Sequence, residues 1–354
     1  MEYVNLGRTG VKVSRICLGC MSYGTPPPGP RRPGSNDWSL NEEQSAPFFK
    51  QALDLGINFF DTANVYATGD SERVTGRWLK ANAKREDIVL ATKVNGQMRD
   101  NPNGQGLSRK EIFFELDESL RCLETDYVDL YWIHRWDRST PIEETLETLN
   151  DAVRAGKVRY LGASSMWAWQ LSKALYTSKE HGWSRFVAMQ NHYNLIYREE
   201  EREMLPLCMD QGLGVTPWSP LARGRLARPA DAEPTKRLQT DQFGKTIYSS
   251  AADADRNVID RVQKLAQDRG VAMAQIALAW DAVQTGHYVT HRRRNQAAPS
   301  RRRSRRSITQ AHARGDQITR RTVRSAPRHA RNGGVTFAAA IILRCHPERS
   351  EGSR

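Results

Sequence analysis

Short apolar runs alternate with longer amphipathic segments along the first 280 residues of this 354-residue chain. Residues 3–6 and 11–13 flank Gly7-Arg8-Thr9-Gly10 and predict a β-hairpin. Residues 16–18 predict a first buried strand. A Pro/Gly-rich loop over 26–33 comes next, then helical periodicity over 42–55 that Gly56 closes. Residues 57–60 read as a second strand and 71–82 as a helix. The runs 88–94 and 127–133 are short and continuously apolar, as strands covered on both faces of a parallel sheet are. Between them, Ser108 and Glu111 have capping-box spacing for a helix that runs to Glu124. Thr140, Pro141 and Glu143 predict an N-cap, a proline at the first helical position and a second capping box, with that helix stopping at Gly156. Residues 158–162, 186–190 and 214–218 read as strands, and 167–181 and 198–211 as the helices between them. Two more helices are predicted over 255–269 and 272–280.

Strand and helix alternate through seven main strands, which predicts a parallel sheet with helices outside. No G-x-G-x-x-G comes after the first strand, so a Rossmann nucleotide site is not indicated. The expected fold is α/β: a TIM (β/α)₈ barrel with an N-terminal β-hairpin, its eighth β/α unit missing or replaced by an Arg-rich tail.

The pattern stops after Trp280, and composition changes with it. Residues 281–354 hold 17 Arg, no Lys and 4 acidic side chains, which accounts for the whole net charge of +13. Residues 1–280 are balanced at 36 basic and 36 acidic. The basic character therefore belongs to the tail and says nothing about ligands of the body. The chain divides into a barrel over 1–280 and an Arg-rich tail over 281–354. Repulsion among arginines and scarce apolar residues predict disorder over 292–335; residues 338–343 form a brief apolar island. Two readings of the tail stay open. One is translation out of the original reading frame from near Asp281; the other is a basic nucleic-acid-binding arm. The lack of interleaved aromatics or repeats favours the first.

Five scattered cysteines, no secretory signal and no apolar run of membrane-spanning length predict a reduced, cytoplasmic setting and no membrane partner. Cys17 and Cys20 form a C-x-x-C without a second pair, which reads as packing rather than a metal or redox site.

Candidate chemistry begins in the stretch GINFFDTANVY, residues 56–66. Asp61 ends a strand and Tyr66 lies five residues later. Lys93 is near the end of the third strand, and His134 ends the fourth. In a parallel barrel these strand ends share one face, where active sites form. The set suits carbonyl reduction. Hydride arriving at a carbonyl carbon leaves an alkoxide that must be protonated. A phenol is a weak acid, with a reference pKa near 10, and a nearby ammonium favours its ionised form. Asp61 can pair with Lys93, and His134 can donate to the carbonyl oxygen. The plainer reading is a buried Asp–Lys pair, with Tyr66 and His134 as packing.

The segments LGRTGVKVSRICLG, GINFFDTANVY, IVLATKV, DLYWIH, YLGASS, MQNHYN and TPWSPLARGRL resemble the aldo-keto reductase superfamily over residues 1 to about 280. HRWDRSTPIEETLE and NHYNLIYREEEREMLPLC look most like a bacterial branch. That branch lies near the potassium-channel β-subunit-like reductases and includes the reductase linked to 1-deoxyxylulose 5-phosphate formation. The resemblance implies NADP(H)-dependent reduction of a small aldehyde or ketone, with a sugar-phosphate compound as one candidate. It implies Asp61, Tyr66, Lys93 and His134 as the catalytic tetrad. It also implies Ser164 and Gln190 at the nicotinamide carboxamide, Trp218 stacked on the ring, and Ser219, Leu221 and Gly224 over the pyrophosphate. Met21 and Asp61 join this cofactor set. Arg135, Trp136 and Trp38 are candidates for the substrate mouth. Nothing at 281–354 matches the family's eighth unit, which grips the 2′-phosphate. That mismatch predicts bare edges on the first and seventh strands and a weakened cofactor anchor. A poorly folding, inactive remnant is the alternative function, and nucleic-acid binding through the tail another.

Overall fold

The computed structural model describes residues 1–28, 36–248, 252–285 and 341–343. The hairpin pairs β1 (Tyr3–Asn5) with β2 (Lys12–Ser14), antiparallel. The main series is β3 (Ile16–Gly19), α1 (Glu42–Asp54), β4 (Phe59–Asp61), α2 (Asp70–Asn82), β5 (Val89–Val94), α3 (Arg109–Leu123), β6 (Val128–Ile133) and α4 (Ile142–Arg154). It continues with β7 (Val158–Ser164), α5 (Ala168–Glu180), β8 (Phe186–Gln190), α6 (Met204–Gln211) and β9 (Gly214–Val215). Then come α7 (Lys236–Thr240), α8 (Gln242–Ile247), α9 (Ala252–Arg269), α10 (Met273–Thr285) and β10 (Ile341–Leu343).

Eight strands form one parallel sheet in the order β10-β3-β4-β5-β6-β7-β8-β9. Consecutive strands of the main series are neighbours, as short βαβ crossovers produce. The sheet curls into a TIM-like half-barrel with helices outside. Among the described residues no ladder joins β9 to β10.

The outer edge of β3 was expected to be bare, and it is not. The apolar island of the tail supplies β10, with Ile341 opposite Ile16 and Leu343 opposite Leu18. A bare edge leaves backbone N–H and C=O groups unmet, and even a three-residue ladder meets some of them. The expected disorder over 292–335 and Cys345 lie outside the described residues.

Local rules placed most elements, with corrections. Asn41 and Gln44 form a full capping box on α1, and Gly56 ends it at φ +79°. On α3, Ser108 accepts from the Glu111 amide at 3.3 Å, but the Glu111 carboxylate turns to Arg99 at 2.5 Å instead of back to the cap. On α4, Pro141 itself is the N-cap and no side chain caps it; Thr140 donates to Asp137 at 2.7 Å. In both cases a charged partner outcompetes a neutral cap. The helix expected over 198–211 is a 3₁₀ turn followed by α6, because Pro206 cannot bond back to residue 202 in a continuous helix. β9 stops at Val215 rather than at 218 because Pro217 has no N–H for the ladder.

Inside the barrel, Leu6 and Val13 of the hairpin pack with Cys17, Phe59, Leu130 and Trp132. This plug closes the N-terminal end and leaves chemistry to the C-terminal strand ends. Cys17, Cys20, Cys122 and Cys208 are buried and form no disulfide among the described residues. Among the described residues no helix is long and apolar enough to cross a membrane.

Candidate active site

Asp61 is the last residue of β4, Lys93 is the penultimate residue of β5, and His134 directly follows β6. Parallel register sets β4, β5 and β6 side by side, so three strand ends bring these groups together. Lys93 and Asp61 form an ion pair with almost no solvent exposure. Lys93 Nζ also donates to the Thr62 carbonyl at 2.6 Å. Asp61 takes a second donor, Gln190 Nε2, at 3.2 Å. A buried ammonium is tolerated only with such partners.

Tyr66 is buried beside this pair. Its ring centroid is 4.9 Å from Lys93 Nζ, and the His134 ring meets it edge-on at 5.7 Å. The loop that carries Tyr66 is stapled by its own polar residues. Thr62 Oγ1 pairs with Ser71 Oγ at 2.9 Å, and Asn64 donates to Glu115 at 2.8 Å. Glu115 is in turn paired with Arg99. Just beyond Tyr66, Ala67 and Thr68 hold left-handed backbone at φ +49° and +55°, strain that concentrates at functional loops.

A cavity of ≈ 300 Å³ opens at this face. Of the sequence candidates, Met21, Tyr66, His134, Ser164, Gln190 and Trp218 line it. Asp61 and Lys93 stand behind that wall. Ser164 and Gln190 end neighbouring strands in register, with Ser164 Oγ donating to the Gln190 carbonyl at 3.0 Å. Trp218 packs on His192 at 4.2 Å and 11°, and His192 packs on Tyr197 at 4.1 Å. Trp218 Nε1 donates to Ser165 Oγ at 2.9 Å, which fixes the indole. Ser219, Leu221 and Gly224 come on the next loop, outside the cavity lining, with Ser219 at φ +56° and Gly224 at φ +104°.

The substrate-mouth candidates separate. Arg135 lines the cavity. Trp38 is buried behind Met21, Val65 and Tyr66, under the Arg237 guanidinium at 4.3 Å. Trp136 packs against Trp169 at 6.1 Å and is not part of the lining. The sequence reading missed Asn36, Asn95, Gly96, Arg223 and Phe243, all of which line the cavity. Arg223 is paired with Asp241, whose pKa its guanidinium helps lower against the opposing effect of burial. Loop residues carry no periodicity, so only the left-handed backbone at Ala222 and Arg223 marks this segment as special. Missed too were the positioning residues Ser71, Glu72, Glu111 and Glu115 on the inner faces of α2 and α3. Their signal was polar residues at core-facing helical positions.

A TIM-like sheet with a buried Asp–Lys pair, a phenol and an imidazole at its open end defines a barrel enzyme. A profile of the aldo/keto reductase family matches residues 15–304, and the chain belongs to that family. The matched span ends inside the Arg-rich segment. The versiconal hemiacetal acetate reductase of Aspergillus parasiticus is 42% identical over 307 residues, covering 81% of this chain and 87% of that one. Aldo-keto reductase dtxS3 of Metarhizium robertsii is 41% identical over 304 residues, 79% of this chain and 80% of that one. A Schizosaccharomyces pombe protein named as an aryl-alcohol dehydrogenase is 41% identical over 302 residues, 78% of this chain and 84% of that one. These fungal relatives do not single out the bacterial branch that the HRWD segment suggested. Aldo-keto reductases use NAD(P)H.

Proposed function

We propose that this protein reduces aldehydes or ketones with NADPH, with Tyr66 as the proton donor. The observation that carries the reading is the buried Lys93 ammonium, held by Asp61 and 4.9 Å from the Tyr66 ring, with His134 against the same ring. A bound nicotinamide supplies hydride. Tyr66 Oη then gives its proton to the carbonyl oxygen as charge develops there. Lys93 stabilises the resulting phenolate, Asp61 fixes the ammonium, and His134 orients the carbonyl by hydrogen bonding.

The residues present fit a nicotinamide cofactor. Ser164 offers a hydroxyl, and Gln190 keeps its Oε1 while Nε2 serves Asp61. Trp218 presents a clamped aromatic ring to the cavity. Ser219 Oγ is buried with no hydrogen-bond partner among the described residues, on a loop of left-handed backbone. A ligand oxygen at that point would satisfy it. We assign Met21, Asp61, Ser164, Gln190 and Trp218 to the nicotinamide end, and Ser219, Leu221 and Gly224 to the pyrophosphate.

Aryl carbonyl compounds are the first substrate class to try, since one relative carries an aryl-alcohol name. A sugar-phosphate carbonyl compound is the second reading, favoured by the HRWDRSTPIEETLE segment and by the cation Arg135 in the cavity wall. The test is NADPH oxidation with 4-nitrobenzaldehyde. Tyr66→Phe should lower the rate by about 10²–10⁴-fold and leave NADPH binding, followed by fluorescence, within a few-fold. An undiminished rate would remove Tyr66 from the donor role.

A further inference from the structure

The charges around the cavity do not cancel. Asp61 answers Lys93, and Asp241 answers Arg223. Arg135 lines the same cavity, yet no carboxylate among the described residues lies within ion-pair distance of it. The acid next in sequence, Asp137, is committed to the Leu107 amide and to the hydroxyls of Ser139 and Thr140. Arg135 Nη1 donates to the His134 carbonyl at 2.6 Å, and the guanidinium lies 6.0 Å from the Trp218 ring centroid. A guanidinium has five N–H donors in a rigid fork, so most of them stay available toward the cavity. Burial also pushes its pKa down from the ordinary value, with Tyr66 opposing that shift. A partly dehydrated cation without a counter-ion is costly, and an entering anion relieves that cost.

We infer that Arg135 anchors an oxyanion carried by the carbonyl substrate, a carboxylate or a phosphate ester, beside the carbonyl that His134 and Tyr66 act on. The inference rests on the reductase reading and adds the charge of the substrate to it. Both oxyanions match the bidentate geometry of the fork. Because Arg135 directly follows His134 on the β6 exit, the anion and the reacting carbonyl are held from one short segment. Neutral aldehydes lack this anchor and should bind more weakly, with the loss appearing in KM.

Calorimetric titration of the full chain with benzoate, phenyl phosphate and the neutral benzamide reads the site without turnover, with and without NADPH. At least one anion should bind about 10-fold or more tightly than benzamide, the scale of a charge-assisted hydrogen bond. Arg135→Gln should abolish the difference, and Arg135→Lys should keep part of it. Tighter binding of benzoate assigns a carboxylate; tighter binding of phenyl phosphate assigns a phosphate ester. In steady state, the kcat/KM ratio of 4-carboxybenzaldehyde to 4-nitrobenzaldehyde should fall about 10-fold in Arg135→Gln, through KM. Equal binding of all three ligands by the unaltered protein overturns the inference, whatever the variants do. So does an anion preference that survives in Arg135→Gln. If the protein shows the Arg135-dependent preference but reduces no aldehyde, the anion site stands and the reductase reading falls.

Discussion

Glu72 is a residue whose surroundings alter its chemistry. It is 1% exposed on the inner face of α2 and accepts from Thr92 Oγ1 at 2.5 Å, one residue before Lys93. Burial raises its pKa from 4.5 to about 7, against the lowering effect of its bond from Thr92. The sign of its effect on stability is set by linkage. The folded state holds this proton more tightly than the unfolded state. The contribution of Glu72 to stability is therefore fully present below about pH 4.5, falls as pH rises toward 7, and then levels off. Over that window the loss is on the order of 3 kcal/mol as an upper bound. Glu72→Gln keeps an acceptor for Thr92 and removes the charge. It should raise stability at pH 8 by about 1–3 kcal/mol and change little at pH 4.5; urea unfolding at the two values measures both. A variant with the same slope between pH 5 and 7 as the parent would mean that Glu72 is not the titrating group. At this scale the site was well marked in sequence. Asp61, Lys93 and His134 end strands that announce themselves by apolar runs, and Tyr66 is close by in the chain. Arg223 and Phe243 were hidden because one sits on the kinked turn after β9 and the other on the short helix α8, neither of which carries a periodic apolar pattern.

At the level of elements, close packing inside the barrel sets the tolerances. Gly162 on β7 faces the Trp132 ring of β6, and a Cβ there would stand 2.2 Å from a ring carbon. Both residues are held by strand ladders, so neither can yield easily. Gly162→Ala should destabilise by about 1–3 kcal/mol through overpacking, read as a lower urea midpoint with an unchanged slope. An unaltered midpoint would show that the indole can move. The β4–α2 loop gives a functional counterpart. Asn64→Ala cuts its tie to Glu115 and α3 while leaving every proposed reacting group in place. It should lower kcat more than it changes KM for NADPH, because a loosened Tyr66 misplaces its proton. A proportionate loss of folded protein, with kcat per folded molecule intact, would make the staple purely structural. Sequence signals placed these elements and the Ser108 cap, but misassigned the Thr140 cap and the Glu111 half of the Ser108 capping box. Ser108 and Thr140 were read by spacing alone, whereas Arg99 and Asp137 decided where their neighbours' hydrogen bonds went.

At the scale of the whole molecule, the edge strand β10 and the proposed cofactor contacts join segments far apart in the chain. Ile342 pairs with Cys17 at the sheet edge. Adjacent N–H groups of an edge strand alternate in direction, so proline at both Ile341 and Ile342 removes the one that faces β3; the change should cost about 1 kcal/mol, detectable by urea unfolding of the full chain. No change would mean that the β10–β3 pairing adds nothing to stability. The 2′-phosphate grip expected of a family-like eighth unit was not found in the sequence of 281–354. An Arg–phosphate contact is worth about 1.5–3 kcal/mol. Its loss should weaken NADPH binding by roughly 10- to 150-fold and bring the affinities for NADPH and NADH close together. Fluorescence titration with both cofactors measures this. A strong remaining preference for NADPH would place a phosphate site elsewhere in the barrel. We also propose that the Arg-rich segment is read out of the original frame, and resequencing around codon 281 tests it. A clean sequence with no single-base change that restores a β/α unit would refute that origin.

The amino-acid order by itself determined the class of fold and the catalytic candidates. Both depend on local regularities: apolar runs of strand length, helical periodicity, and chemistry-bearing residues at strand ends, which a parallel barrel gathers on one face whatever its details. Tertiary structure alone decided the rest. It brought residues 341–343 to Ile16 across more than three hundred positions, and it set Gln190 against Asp61. It paired Arg223 with Asp241 and left Arg135 without a carboxylate among the described residues. Such contacts join segments far apart in the chain. Their energies come from burial and charge pairing in three dimensions, which neither spacing nor composition encodes.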